Sequence, residues 1–121
     1  MTGWVEWNFF VDMNGGPRWN EKKGFGGAVA VDSAKGEAYK QPSFYAIGHI
    51  SKFVSPDSVR IGHKVDKPIE GLSFLTVKRP DNQTVLVALN ANNEDIVLNI
   101  NDSNNHLSHK ITARSIQSFI W

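Results

Sequence analysis

The spacing of hydrophobic positions changes near residue 55. Before it lie one dense aromatic run and one helical stripe; after it, apolar and polar residues alternate. The first run, residues 4–11 (Trp-Val-Glu-Trp-Asn-Phe-Phe-Val), reads as a strand buried on both faces. Asn14-Gly15-Gly16-Pro17 then forces a sharp turn. Residues 13–27 hold five of the ten glycines and read as a long irregular segment. Residues 28–31 form a short strand, closed by a turn at 32–36. A helix over 42–54 follows. Pro42 suits its first position, where the missing N–H costs nothing, and Phe44, Ile47, Ile50 and Val54 recur at helical spacing. Ser55-Pro56-Asp57 ends it.

From residue 58 the period is two. Strands are expected at 58–65, 72–78, 84–90, 96–100, 110–113 and 116–121, with turns at Pro80-Asp81-Asn82 and at 92–95. Short strands joined by Asn/Asp turns indicate an antiparallel β-sandwich. The fold class is therefore mostly β, with an α/β segment over 1–54 joined to a sandwich over 55–121.

Composition narrows the partners. Among 121 residues the net charge is +1, and no Lys/Arg run exceeds two, which argues against nucleic acid or an anionic membrane as partner. No apolar run reaches the roughly 18 residues of a transmembrane segment. Met1-Thr2-Gly3 leads straight into the first expected strand, so no signal peptide is expected in these residues. Cysteine is absent, so no disulfide forms. Two N-glycosylation acceptors, Asn82 and Asn101, fall in expected turns or loops. The aromatic strand needs walls that the chain does not supply, so the chain reads as a piece of something larger.

Candidate chemistry is sparse. Glu6 and Asp12 would stand roughly 20 Å apart on an extended strand and read as solvated or salt-bridged acids. The other acids lie mostly in turns. His49 and His63 stand alone. His106-Leu107-Ser108-His109 sits in an expected polar loop with no third ligand, so no metal and no cofactor are expected. Gly24-Phe25-Gly26-Gly27 lacks the strand–helix context of a phosphate loop. Trp4 and Trp7 point to opposite faces of a strand. Either both belong to the core, or one is a platform on which a sugar ring stacks.

Three blocks carry a resemblance. They are Gly-Trp-x-Glu-Trp-Asn at 3–8, Gly-Gly-Pro-x-Trp at 15–19, and Tyr39-Lys40-Gln41-Pro42-x-Phe44-Tyr45-x-x-Gly48-His49-x-Ser51-Lys52-Phe53. In this order and spacing they resemble the C-terminal part of the glucosylceramidases of glycoside hydrolase family 30. The likeness continues more weakly through Val85–Asn90 and Ser115-Ile116. It implies the last strand and helix of a (β/α)8 TIM barrel, then a β-sandwich completed by an N-terminal strand of the longer protein. With the implied barrel strands on either side of 4–11 not among these residues, that strand is expected to lack parallel neighbours, 1–27 to be the weak part and 56–121 the stable part. It implies a retaining hydrolase that cleaves β-glucosyl ceramide, with two glutamates about 5–5.5 Å apart. Neither glutamate motif occurs here, so no catalytic residue is assigned and the isolated chain is expected to be inactive.

The resemblance makes Trp7 a substrate-binding residue lining the glucose pocket. It makes Asn20 the candidate for a pocket-facing Asn, although the following Glu21-Lys22-Lys23-Gly24 departs from the family's Asp-x-Pro and leaves rim selectivity open. The implied partners are glucosylceramide or another β-glucoside and a lipid-presenting activator protein; the implied location is the lysosomal lumen or the exterior. Two other readings stand beside it: a non-catalytic glycan-binding or interaction sandwich, and an inactive remnant. Barrel strands with two glutamate motifs encoded upstream of Met1 would decide for the enzyme.

Overall fold

A computed structural model describes residues 3, 5–18, 26–103 and 105–121. The chain divides into two compact units, Met1–Gly48 and His49–Trp121.

Unit 1 holds a three-stranded sheet in the order β1-β2-β3, with β1 at Phe10–Asp12, β2 at Val29–Asp32 and β3 at Glu37–Lys40. β1 runs parallel to β2, pairing Phe10 with Val29 and Asp12 with Val31; β3 returns antiparallel. This corrects the expected strand over 4–11 in two respects. Only its last residues are strand, and that strand has a parallel neighbour in this chain. The cause is Asn8, whose φ of 53° lies in the left-handed region and breaks extended geometry two residues before β1. Nor are most of its apolar side chains buried: Val5, Trp7 and Phe10 are 93%, 69% and 62% exposed, whereas Val11 is buried. Trp4 lies outside the described residues. β3 has no apolar alternation to announce it; all four of its residues are exposed. The Asp32 carboxylate accepts the N–H groups of Ala34 and Lys35, and that turn delivers β3 to β2.

Helix α1 spans Pro42–Phe53 and passes from one unit into the other. Pro42 opens it, and Lys52 sits in the last turn, where a cation suits the helix dipole.

Unit 2 contains two antiparallel sheets. The larger has the order β4-β5-β6-β9, at Val59–Arg60, Leu72–Lys78, Thr84–Asn90 and Ser115–Ile120. The smaller pairs β7, Ile96–Asp102, with β8, Asn105–Ile111. β6 is central and almost wholly buried. Val85 and Val87 point to one face, where with Val77 they meet Phe53, Val54, Leu75 and Ile116. Each such side chain contributes roughly 1.5–3 kcal/mol by leaving water. Leu86, Ala88 and Asn90 alternate to the other face. The β7–β8 hairpin covers that side: the His109 ring meets Phe119 edge-on at 5.3 Å, and the Trp121 indole N–H donates to Asp102 at 2.7 Å. Two sheets facing each other across such contacts make a sandwich.

β5, β6 and the turn at Pro80-Asp81-Asn82 fall where the alternation puts them. Strand 58–65 shrinks to the two residues of β4, and Gly62 interrupts the alternation just after it. The expected polar loop at 106–109 is strand β8, so His106 and His109 project to opposite faces. Asn101 likewise lies in β7 rather than in a loop.

Asp95 fastens the hairpin to its surroundings. It accepts Lys110 Nζ and the Ala113 N–H, each at 2.9 Å. These contacts, Lys110 first, hold its carboxyl below the ordinary 3.8.

Candidate functional site

The described part of unit 1 folds into a cleft. Residues 8–17 make a closed loop: the Asn8 side-chain amide donates to Pro17 O at 2.9 Å. Inside it Asp12 organises the turn. Its Oδ1 accepts the N–H groups of Asn14 and Gly16, both at 2.8 Å, while its own N–H donates to Gly16 O at 2.7 Å. Gly15, at φ 75°, supplies the left-handed residue this turn requires. At Gly27 the need is for space. A Cβ there would lie 2.8 Å from Asn8 O and 3.0 Å from both Val11 methyls.

The resulting cleft has a volume of about 570 Å³ and is lined by Glu6, Asp12, Met13, Gly27, Gln41 and Ser43 among others. Because the chain turns at Asn8, Glu6 and Asp12 reach one cleft instead of standing apart on an extended strand. Their roles differ, however. The N–H groups of Gly16 and Asn14, with the charge of Arg18, hold the Asp12 carboxyl below the usual 3.8. A carboxylate held ionised by backbone donors fixes the turn and is unsuited to giving up a proton at neutral pH.

Lowered carboxyl pKa values carry a pH dependence with a definite sign. Folding favours ionised Asp12 and Asp95, so their contribution is complete above the unfolded value. It is lost as pH falls below about 3.8 through the lower folded values. In urea titrations across this window, D95N should flatten the acid limb of unit 2 stability. An unchanged limb would mean that the contacts to Lys110 and Ala113 do not persist in solution.

Of the two expected sugar-binding residues, Trp7 is described. It stands between Glu6 and Asn8, is 69% exposed, and is not among the residues lining the cleft. Asn20 lies outside the described residues, as does Trp19, so the two expected residues are not seen together. Met13 and Ser43 were not singled out in the sequence, and Gln41 entered only as part of the block at 39–53. Met13 lies far from Gln41 and Ser43 in the chain, and only folding brings them to one cleft. Among the described residues no three His, Asp or Glu side chains converge as metal ligands. None of their helices is long and apolar enough to cross a membrane.

The profile of the glycosyl hydrolase family 30 TIM-barrel domain matches residues 1–54, and that of the family's beta sandwich domain matches residues 57–119. The chain belongs to glycosyl hydrolase family 30. Family 30 relatives align along its whole length. The lysosomal acid glucosylceramidase of Mus musculus is 34% identical over 122 residues, covering 100% of this chain and 23% of its own length. Putative glucosylceramidase 1 of Caenorhabditis elegans is 36% identical over 125 residues, covering 96% and 23%. The chain therefore spans just under a quarter of the length of these curated relatives. The solved structure of an endo-β1,6-glucanase superposes with a TM-score of 0.85 at 24% identity, over 95% of this chain and 26% of that one, a likeness of fold. Within the family's architecture β1 and α1 belong to the barrel-matching segment, and β4 to β9 to the sandwich.

Proposed function

We propose that this chain is the C-terminal portion of a glucosylceramidase, a retaining glycosidase that cleaves β-glucosyl ceramide to glucose and ceramide. The observation that carries the reading is the alignment to glucosylceramidases along the whole chain, across both the barrel and sandwich segments. In this reading the acid/base and nucleophile glutamates belong to barrel strands outside these residues, and the domain boundary falls at 54/55. Trp7 offers its exposed indole face to the glucose ring, and Asn20 a rim hydrogen bond. The enzyme works in the lysosomal lumen, where an activator protein presents the lipid. The lysosomal description of the mouse relative supports that location.

Two measurements test the proposal. The purified chain should not turn over a chromogenic β-glucoside. Joined to a barrel segment carrying both glutamate motifs, it should. In the joined enzyme Trp7→Ala should lower kcat/KM by about 3–5 kcal/mol, the scale of a large aromatic truncation, while the folded fraction is retained. Turnover by the chain alone, unaffected by E6Q, would overturn the assignment of catalysis to other residues. Normal kinetics in the joined W7A enzyme would remove Trp7 from the pocket.

A further inference from the structure

We propose that Asn82 carries an N-linked glycan, which the folded β5–β6 hairpin holds in solvent. The inference rests on the lumenal location proposed above. The two acceptor triplets, Asn82-Gln83-Thr84 and Asn101-Asp102-Ser103, are equivalent as motifs. Their structural settings differ. Asn82 is at the tip of the β5–β6 hairpin, in a run of exposed residues from Pro80 to Gln83. Its N–H donates to Arg79 O at 3.0 Å and its φ is 66°, the left-handed position that closes such a turn. Among the described residues its side chain has no hydrogen-bond partner, so a sugar on Nδ2 displaces nothing. Asn101 lies within β7, directly opposite His106 of β8, and its Oδ1 is 2.6 Å from His106 Nδ1. The next residue, Asp102, is tied to the Trp121 indole.

The group transfer needs a lipid-linked oligosaccharide diphosphate. Asn82 Nδ2 forms a bond to C1 of the first sugar. The C1–O bond to diphosphate breaks, the lipid diphosphate leaves with the electron pair, and Nδ2 loses one proton. Thr84, whose hydroxyl completes the acceptor triplet, is buried in β6 and accepts from Lys78 Nζ at 3.4 Å. Transfer therefore precedes the closing of β6 between β5 and β9. The folded hairpin then keeps the glycan in solvent.

The test is expression of the full chain behind a heterologous secretory signal, which imposes lumenal delivery whatever the natural location. Denatured product is analysed by gel mobility with and without a glycosidase that leaves Asp at each occupied Asn, followed by peptide mapping. Asp tolerates the left-handed position, so N82D removes the acceptor and keeps the turn. A glycosidase-sensitive mobility step is expected that is lost in N82D and kept in N101D. T84V should lose the same step. No step, or a step lost only in N101D, overturns the proposal. A positive result here with a wholly cytosolic natural protein would count against the location and leave the acceptor geometry standing.

Discussion

Asn90→Ala should destabilise the sandwich by about 3–5 kcal/mol, a large part of the ~5–15 kcal/mol that holds a typical domain folded. Asn90 is fully buried at the end of β6. Its Nδ2 donates to Glu94 O at 2.8 Å, Thr112 O at 3.1 Å and Ile111 O at 3.4 Å, and its Oδ1 accepts the Asn92 N–H at 3.0 Å. One amide thus joins the β6–β7 turn to the end of β8 and the turn that follows. Removing it strands backbone groups that water cannot easily reach, and each such group costs about 1–3 kcal/mol. The cavity left behind adds to this. Asn90→Asp, nearly the same shape, should do no better, because it sets a carboxylate against carbonyl oxygens. Urea unfolding followed by tryptophan fluorescence measures both. A loss below about 1 kcal/mol for Asn90→Ala would mean that water replaces the amide, and the network would then be incidental to stability.

Gly27→Ala should unfold the sheet of unit 1 while leaving unit 2 intact. The added Cβ would lie 2.8 Å from Asn8 O, a backbone atom that no rotamer change can move. Phe9 O accepts the Val29 N–H at 2.9 Å beside it, so relief must separate β1 from β2. Overpacking of this kind typically costs about 1–3 kcal/mol, and β1 is only three residues long. Hydrogen exchange resolves the outcome by region. Amides of β1 and β2 should lose protection and those of β5 and β6 should keep it. Equal protection in both proteins would show that the loop 8–17 adjusts without cost. The wild-type measurement is itself informative: paired β1 amides should be slower than those of residues 5–8, contrary to the uniform fast exchange expected of an unpartnered strand.

Tertiary structure decided the extent of strands whose neighbours are distant in the chain. β8 reads Asn-His-Leu-Ser-His-Lys-Ile and is mostly polar; it is a strand because β7 offers it a full row of backbone partners. β3 has the same origin against β2. The aromatic run shows the reverse. Its composition favours a strand, but Asn8 takes a left-handed conformation held by Pro17 O, nine residues away, and β1 begins late. That turn also carries Glu6 and Asp12 to one cleft, a placement no local periodicity contains.

The sequence by itself determined the elements whose signals are local. Pro42 and the apolar stripe after it mark helix α1, because a helix satisfies its own backbone within four residues. Alternation and the Pro80-Asp81-Asn82 turn mark β5 and β6, because a tight hairpin pairs strands adjacent in the chain. The three aromatic and glycine blocks determined the family, since side-chain identity at fixed spacing survives without coordinates. Which acids share a cleft, which Asn stands at a hairpin tip, and which polar stretch becomes a strand required the fold. Each depends on hydrogen bonds and steric limits between residues far apart in sequence, and those energies exist only once the chain has closed on itself.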